Sequence, residues 1–256
     1  MNSLKGFTLV EIAIVLIIVT ILLGYTMAML PMQQELKQYR QADAEMDRII
    51  NSLYAFAQVN GRLPCADNWA APDGLSDPPG SGNCTLNGWY GLLPAKTLGI
   101  DGKYDVNNSL IDPWGTPYRY QVTSVDSGGA LGGDFVIDNE ISTIGMGALA
   151  PDLFVCSTNP SVNPTDVDCL VGAGTGAANT VAARIPAVVI SLGKDGGMVA
   201  SNIQVENTDN TADGATDIVF VKSTRSDVTN AEFDDLIKWI SPNILYSKMI
   251  DAGQLP

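Results

Sequence analysis

A long apolar run near the N-terminus constrains this chain more than any other feature of its sequence. Residues 7–30 read FTLVEIAIVLIIVTILLGYTMAML, which is 24 residues with one charged side chain, that of Glu11. An α-helix rises about 1.5 Å per residue, so this run would extend roughly 36 Å and exceed a hydrocarbon core of about 30 Å. The leader MNSLKG is short, and no small-residue A-x-A cleavage site follows the run. The sequence therefore predicts a membrane-crossing helix, and a plain signal anchor is the simplest interpretation.

Glu11 is the residue that does not suit a plain signal anchor. A carboxylate at the centre of a membrane helix costs on the order of 3 kcal/mol. The run contains no Lys, Arg or His that would neutralise it. The partner must then come from outside the run, and a free α-amino group at Phe7 would serve if the chain were cleaved there.

The residues around Glu11 resemble a known family. KGFTLVE at residues 5–11, followed by the unbroken apolar run, is similar to the class III prepilin signal of type IV pilins and type II secretion pseudopilins. The resemblance implies cleavage between Gly6 and Phe7 by a membrane prepilin peptidase, and then N-methylation of Phe7. It also implies that Glu11, the fifth residue of the mature chain, pairs with the N-terminal amine of a neighbouring subunit during filament assembly.

The apolar run also divides the chain into segments. Residues 1–6 are the leader, 7–30 the transmembrane half of a long helix, 31–60 its amphipathic half, and 61–256 a globular head. The amphipathic half is indicated by apolar residues at three- and four-residue spacing, namely Met46, Ile49, Ile50, Leu53, Phe56 and Ala57. Gly61 supplies a left-handed cap at its end. The resemblance implies an α+β, pilin-like fold in which this helix packs on a small antiparallel sheet.

The head is rich in Gly, Asn, Asp, Ser, Thr and Pro, which indicates many turns and long loops. No helix-length segment separates its strands in a regular alternation, so an antiparallel sheet is favoured. Short strands are predicted at 118–125, 134–137, 187–192 and 217–223. Two short helices are predicted to close the chain, one over 230–240 and one from Pro242 to Gly253 with Ser241 as its N-cap.

The four cysteines are Cys65, Cys84, Cys156 and Cys169. Four cysteines allow three pairings, and the sequence does not choose among them. Nearest-neighbour pairing would close the two long loops, and each closure would stabilise the fold by roughly 3 kcal/mol in the chain-entropy model. The membrane topology places the head outside the cytoplasm, where disulfides persist. A zinc site built from four thiolates is the alternative, although the chain has no CxxC and no His.

An acidic loop is a candidate calcium site. Residues 209–214, DNTADG, place side-chain oxygens at the first, third and fifth positions, as hard cations require. Phe220 stands where an EF-hand would have its Glu, so the loop is not an EF-hand. A solvated acidic loop without an ion is the alternative interpretation.

Two pieces of the head resemble the major type II secretion pseudopilin. They are DPWG-x-PY at 112–118 and SLG-x-DG at 191–196. The resemblance implies calcium binding in the loop that follows the second piece and ends at an Asp-Ile pair, here Asp217-Ile218. The resulting candidate ligands are Leu192, Asp195, Asp209, Asp213 and Asp217.

Two sequence patterns that match catalytic motifs are better explained by structural roles. Ser191 and Lys194 match the SxxK motif of penicillin-binding enzymes, but the glycines beside them disfavour the helix that this chemistry needs. Asp234 and Asp235 are expected on the solvated face of the predicted helix at 230–240, not in a glycosidase pair. Because the chain has no His, Ser-His-Asp and Cys-His catalysis are excluded as well. The sequence therefore predicts that the protein is not an enzyme.

The net charge of −14 argues against a protein that grips nucleic acid. The resemblance instead indicates a minor pilin or pseudopilin that assembles into, or primes, a type IV pilus or a type II secretion pseudopilus. The expected partners are prepilin peptidase, other pilins or pseudopilins and the inner-membrane assembly platform. The expected location is the bacterial inner membrane, single-pass with a periplasmic head, and a filament or the cell surface after assembly. The alternative is a membrane-tethered or filament-tip adhesin or binding module that uses the pilin helix for export.

Overall fold

The structure is a computed structural model of the chain. It describes residues 8–80, 82, 84, 89–127, 133–157, 169, 179–196, 204, 207, 208, 218–228 and 232–255, with the backbone alone at 24–31. The chain divides into two compact units, Met1–Gln41 and Ala42–Pro256.

The first helix, α1, runs from Leu9 to Asn60 and contains 52 residues. It ends where the sequence predicts, because Gly61 takes a left-handed φ of 68°. Among the residues whose side chains are described, no helix is both long enough and apolar enough to cross a membrane. The large apolar side chains described near the start of α1 are all exposed, namely Leu9, Val10, Ile12, Ile14, Val15, Leu16, Ile17, Ile18, Val19, Ile21, Leu22 and Leu23.

The second unit contains a four-stranded antiparallel sheet. Its strands are β1 (Tyr90–Leu92), β2 (Arg119–Val122), β5 (Ala187–Ser191) and β7 (Leu236–Trp239), in the order β1-β2-β5-β7. Tyr120 pairs with Val189 across β2 and β5, and Val188 pairs with Trp239 across β5 and β7. The predicted antiparallel sheet is therefore confirmed.

A second, three-stranded sheet lies in the same unit. It consists of β3 (Leu153–Cys156), β4 (Thr180–Ile185) and β6 (Val219–Val221), in the order β4-β3-β6. β3 and β6 are parallel, with Val155 opposite Phe220. The expectation of a purely antiparallel arrangement is thus incomplete. A parallel pair needs a long connection, and the chain between β3 and β6 supplies one.

The four-stranded sheet is covered on both faces. On one face Tyr120 and Val189 share a buried cluster with Ile49 and Leu53 of α1. On the other face Val188 and its neighbours share a second buried cluster with residues of the three-stranded sheet. Burial on both faces explains why β5 reads as a continuous apolar run instead of an alternating one. As predicted, the apolar stripe of α1 from Met46 to Ala57 packs on the sheet.

The predicted helix over 230–240 is wrong. Residues 229–231 lie outside the described part, and the remainder is extended: Phe233 bridges to Ser226, and β7 follows. Residues 233, 235 and 237 are buried and the residues between them are only partly buried, which is the alternation of a strand. The edge of β5 needs backbone hydrogen-bond partners, and this non-local pairing outweighs the helical spacing of the apolar residues.

The other predicted elements fare differently. The strands predicted at 118–125, 187–192 and 217–223 are present in shorter form as β2, β5 and β6. The strand predicted at 134–137 is wrong, because these residues form turns ahead of the short helix α2 (Glu140–Ile144). The closing helix is confirmed as α3 (Pro242–Asp251), with Ser241 at the N-cap but without a side-chain cap bond.

The cysteines form the nearest-neighbour pairs. Cys65 bonds Cys84 and Cys156 bonds Cys169, which closes loops with sequence separations of 19 and 13. No cysteine is left free, so the four-thiolate zinc site is not formed. Each loop closure reduces the conformational entropy of the unfolded chain. In the chain-entropy model this raises the free energy of unfolding by roughly 3 kcal/mol.

Replacing Leu53 by Ala tests the packing of α1 on the sheet. Leu53 is fully buried, so its truncation is expected to lower the free energy of unfolding by about 2–5 kcal/mol. Val59→Ala on the same helix is the control, because Val59 is 76% exposed and its truncation should cost less than about 1 kcal/mol. Denaturant unfolding of the purified chain measures both, and equal losses would contradict the packing.

Candidate functional site

The described residues bring three carboxylates together at one edge of the four-stranded sheet. Asp195 lies in the turn after β5, and Asp234 and Asp235 directly precede β7. Because β5 and β7 are antiparallel, with Ser191 opposite Leu236, the end of one strand lies beside the start of the other. The carboxylates offer oxygens that all lie within 4.8 Å of one another.

Backbone N–H groups hold Asp234 in this arrangement. Its Oδ2 accepts hydrogen bonds from the backbone N of Lys194 at 2.6 Å and of Asp195 at 3.1 Å. Gly193, with φ 63°, makes the approach possible, because a Cβ there would lie 2.5 Å from the carbonyl oxygen of Asp234. The glycine of the SLG-x-DG piece is therefore required by a close backbone contact.

Two buried amides complete what we call the acid–amide cluster: Asp195, Gln204, Asn207, Asp234 and Asp235. Gln204 Nε2 donates to Asp195 Oδ2 at 2.8 Å and to Asp234 Oδ1 at 2.7 Å. Asn207 Nδ2 donates to Asp235 Oδ2 at 2.7 Å, while the same side chain exchanges hydrogen bonds with the backbone of Val221 in β6. The cluster therefore links the edges of both sheets.

Burial governs the electrostatics of this cluster. It raises the pKa of Asp235 to about 7, against the hydrogen bond from Asn207, and the charges of Asp234 and Asp195 add to the effect. The pKa of Asp234 is raised by burial and by the charge of Asp195. Amides donate hydrogen bonds but carry no charge, so a proton or a bound cation would relieve the repulsion. Three carboxylate oxygens at this spacing suit a hard cation such as Ca²⁺.

The predicted calcium ligands are only partly placed. Leu192 is buried directly after β5 and Asp195 lies in the turn that follows, while Asp209, Asp213 and Asp217 lie outside the described residues. The structure adds carboxylates that sequence reasoning assigned to a solvated helix face, and that assignment is wrong because Asp235 is only 8% exposed. The alternation that buries residues 233, 235 and 237 arises from the pairing with β5, so local sequence patterns did not indicate these carboxylates.

A cavity of about 390 Å³ adjoins the cluster. Its lining includes the carboxylates of Asp195, Asp227, Glu232 and Asp234, together with Lys194. The acidic lining favours a cationic ligand over an anionic one.

The serine of the SxxK motif makes a structural contact. Ser191 Oγ donates to Asp112 Oδ2 at 2.7 Å, while Asp112 Oδ1 accepts from the backbone N of Trp114, Gly115 and Thr116 at 2.9–3.0 Å. The DPWG-x-PY and SLG-x-DG pieces thus meet through one buried carboxylate. Lys194 follows in a turn and not on a helix with Ser191, so the arrangement that the SxxK chemistry requires is not formed.

At the other end of the chain, Glu11 lies in the first turn of α1 and is exposed. Its Oε2 accepts from the backbone N of Thr8 at 3.4 Å, and its own N donates to Thr8 Oγ1 at 3.3 Å. This reciprocal pair is a capping box, which the spacing T-x-x-E could have revealed. The helix dipole also favours a carboxylate at this end. Gly6 and Phe7 lie outside the described residues.

No protein-family model matches the chain, and no curated protein or solved structure matches it significantly.

Replacing Asp235 by Asn tests the electrostatics of the acid–amide cluster. The pKa of Asp235 is about 7 in the fold against an ordinary value of 3.8, so the folded state binds the additional proton between these values. Its contribution to stability is therefore present at pH 4 and lost as the pH rises to about 7, at up to about 1.4 kcal/mol per pH unit.

Unfolding free energy measured from pH 4 to pH 8 in chelator should show a shallower fall for Asp235→Asn than for the wild type. Asp227→Asn, at an exposed carboxylate, should retain the full fall. Parallel profiles for the wild type and Asp235→Asn would contradict the raised pKa.

Proposed function

We propose that this chain is a pilin-like subunit, a minor pilin or pseudopilin, that assembles into or primes a type IV pilus or type II secretion pseudopilus. The proposal is supported by the KGFTLVE signal at residues 5–11 and by the single helix that follows it, whose second half packs on an antiparallel sheet. The two disulfides favour an oxidising compartment for the second unit.

One observation carries the proposal more than any other. The described start of α1 exposes large apolar side chains all around the helix, and its first turn contains Glu11. A helix that is apolar on every side needs cover from lipid or from other apolar helices. A bundle of identical or related helices, as in a filament, supplies that cover.

Glu11 has two roles in this proposal. Within the chain it caps α1 through Thr8, which places its carboxylate close to the helix start. Prepilin peptidase would cut between Gly6 and Phe7 and leave an α-ammonium group at Phe7. In the filament, Glu11 pairs with the ammonium group of a neighbouring subunit, where low dielectric strengthens the attraction.

Four variants separate capping from assembly. Glu11→Leu and Glu11→Gln both remove the charge, and we expect each to reduce co-isolation with neighbouring pilins roughly a hundredfold or more, because breaking a buried ion pair costs about 3–5 kcal/mol. Thr8→Val removes one cap bond but keeps the charge, and should assemble. Glu11→Asp keeps the charge with a shorter reach and should be intermediate.

Co-isolation from sheared filaments or detergent complexes measures this series, with total membrane-bound protein as the reference. If Glu11→Gln is recovered like the wild type while Thr8→Val is lost, Glu11 is a helix cap only, and the assembly role is wrong.

Gly6→Val tests processing. The proposal expects cleavage between Gly6 and Phe7 and a mature chain that begins with methylated Phe7. The β-branched residue should block cleavage and leave the full precursor, whereas Ser3→Val in the same leader should be processed normally. Intact-mass measurement distinguishes the two forms, and a cleaved Gly6→Val chain would count against the prepilin interpretation.

A second function is favoured by the acidic cavity beside Asp195 and Asp234. In this alternative the chain is a tethered adhesin or binding module for a cationic ligand, and α1 serves only for export. The Glu11 series separates the two functions, because a module that does not polymerise has no need of the carboxylate for association with pilins.

A further inference from the structure

A second group of carboxylates lies outside the acid–amide cluster. Asp126 follows β2, Asp134 lies in the turns that precede α2, and Glu140 is the first residue of α2. Each offers a carboxylate oxygen, and these oxygens all lie within 4.8 Å of one another. We propose that these residues, here called the α2 carboxylates, form a binding site for a hard divalent cation of the calcium type.

The spacing suits such an ion. Calcium binds oxygens at about 2.3–2.6 Å, so two ligand oxygens on one ion lie up to roughly 5 Å apart. The separations among the α2 carboxylates fall within that limit. Calcium also accepts six to eight ligands in flexible geometry, so backbone oxygens and water complete the shell.

Two buried oxygens in the group lack a hydrogen-bond partner within the part of the chain that the structure describes. Asp134 is fully buried and Glu140 is 9% exposed. Asp134 Oδ1 accepts from the backbone N of Ser127 at 2.8 Å, whereas Asp134 Oδ2 and Glu140 Oε2 have no hydrogen-bond partner among the described residues. A buried carboxylate oxygen without a donor is costly, and a cation between them satisfies both at once.

The charge around the group points the same way. The ion pairs found among the described residues do not include any of the α2 carboxylates; the nearby Arg62 bonds Asp138 instead, at 2.7 Å. Burial raises the pKa of Glu140, and the charges of Asp134 and Asp126 raise it further. Without a cation the site therefore combines burial with mutual repulsion.

The backbone holds the site in place before any ion binds. The N–H of Asp134 donates to the carbonyl of Val125 at 2.8 Å, which brings the segments of Asp126 and Asp134 together. Gly133 lies so close to its neighbours that a Cβ would be 2.8 Å from the ring of Trp89. A preformed site loses little conformational entropy on binding.

The α2 carboxylates differ from the acid–amide cluster in their hydrogen-bond donors. In the acid–amide cluster, Gln204 and Asn207 and two backbone N–H groups already bind the carboxylates. Among the described residues, only the Ser127 N–H donates to an α2 carboxylate. The fold around the α2 carboxylates therefore depends more on a bound ion for its stability than the fold around the acid–amide cluster does. This inference is independent of the proposed pilin function.

The test is calcium titration of the purified full-length chain after chelation, by calorimetry and by thermal unfolding. Calcium should raise the unfolding temperature by an amount that grows with its free concentration. Glu140→Gln should weaken binding at this site by about tenfold or more, since affinity follows the charge count of the ligands. The same variant should leave the calcium-free unfolding temperature unchanged or higher, because it removes repulsion.

Two control variants locate the effect. Asp101→Asn removes an exposed carboxylate elsewhere and should retain the whole calcium stabilisation. Asp195→Asn alters the acid–amide cluster, whose carboxylates also suit a cation, and should retain the part of the stabilisation that Glu140→Gln loses. If Glu140→Gln fails to fold, Asp126→Asn at the exposed ligand makes the same test. An unfolding temperature that ignores calcium and chelator would overturn the proposal, as would a calcium response lost in Asp195→Asn but retained in Glu140→Gln.

Discussion

The second unit depends on β5, a central strand that is paired at both edges and buried on both faces. It bonds β2 on one side and β7 on the other. Its odd and even residues belong to different buried clusters, one shared with α1 and one shared with the three-stranded sheet. The sheet is thus the middle layer between a helix and a second sheet, and both cores depend on this strand remaining in register.

The same strand explains the position of the acid–amide cluster. Pairing of β5 with β7 places the turn after one strand beside the start of the other, so that Asp195 meets Asp234 and Asp235. Gly193 permits the close backbone approach, and Asn207 connects the cluster to β6. A buried polar network of this kind links the two sheets, but its carboxylates repel one another. The stability of the fold therefore depends on protonation of these carboxylates and on bound cations.

The excess of acidic residues is handled in two different ways within this unit. The acid–amide cluster relies on amide and backbone donors, which satisfy oxygens without neutralising charge. The carboxylates of Asp126, Asp134 and Glu140 have few donors and a spacing suited to an ion. At the start of α1, by contrast, Glu11 is satisfied locally by Thr8 and by the helix dipole. This local cap does not remove the charge, so it is compatible with a second partner in an assembly.

Local patterns in the sequence were sufficient for the long helix and its end at Gly61, for β2 and β5, and for the closing helix after Ser241. These elements follow from hydrophobic periodicity, strand-forming runs and capping residues, which act over a few residues. Local patterns left the disulfide pairing open. They also predicted a helix where β7 forms and placed Asp234 and Asp235 in solvent. Tertiary structure decided these points, because the open edge of β5 needed a backbone partner and that pairing brought together carboxylates about 39 residues apart. Hydrophobic spacing within a segment carries no information about which distant strand will satisfy its backbone, so only the assembled sheets could place the charged residues.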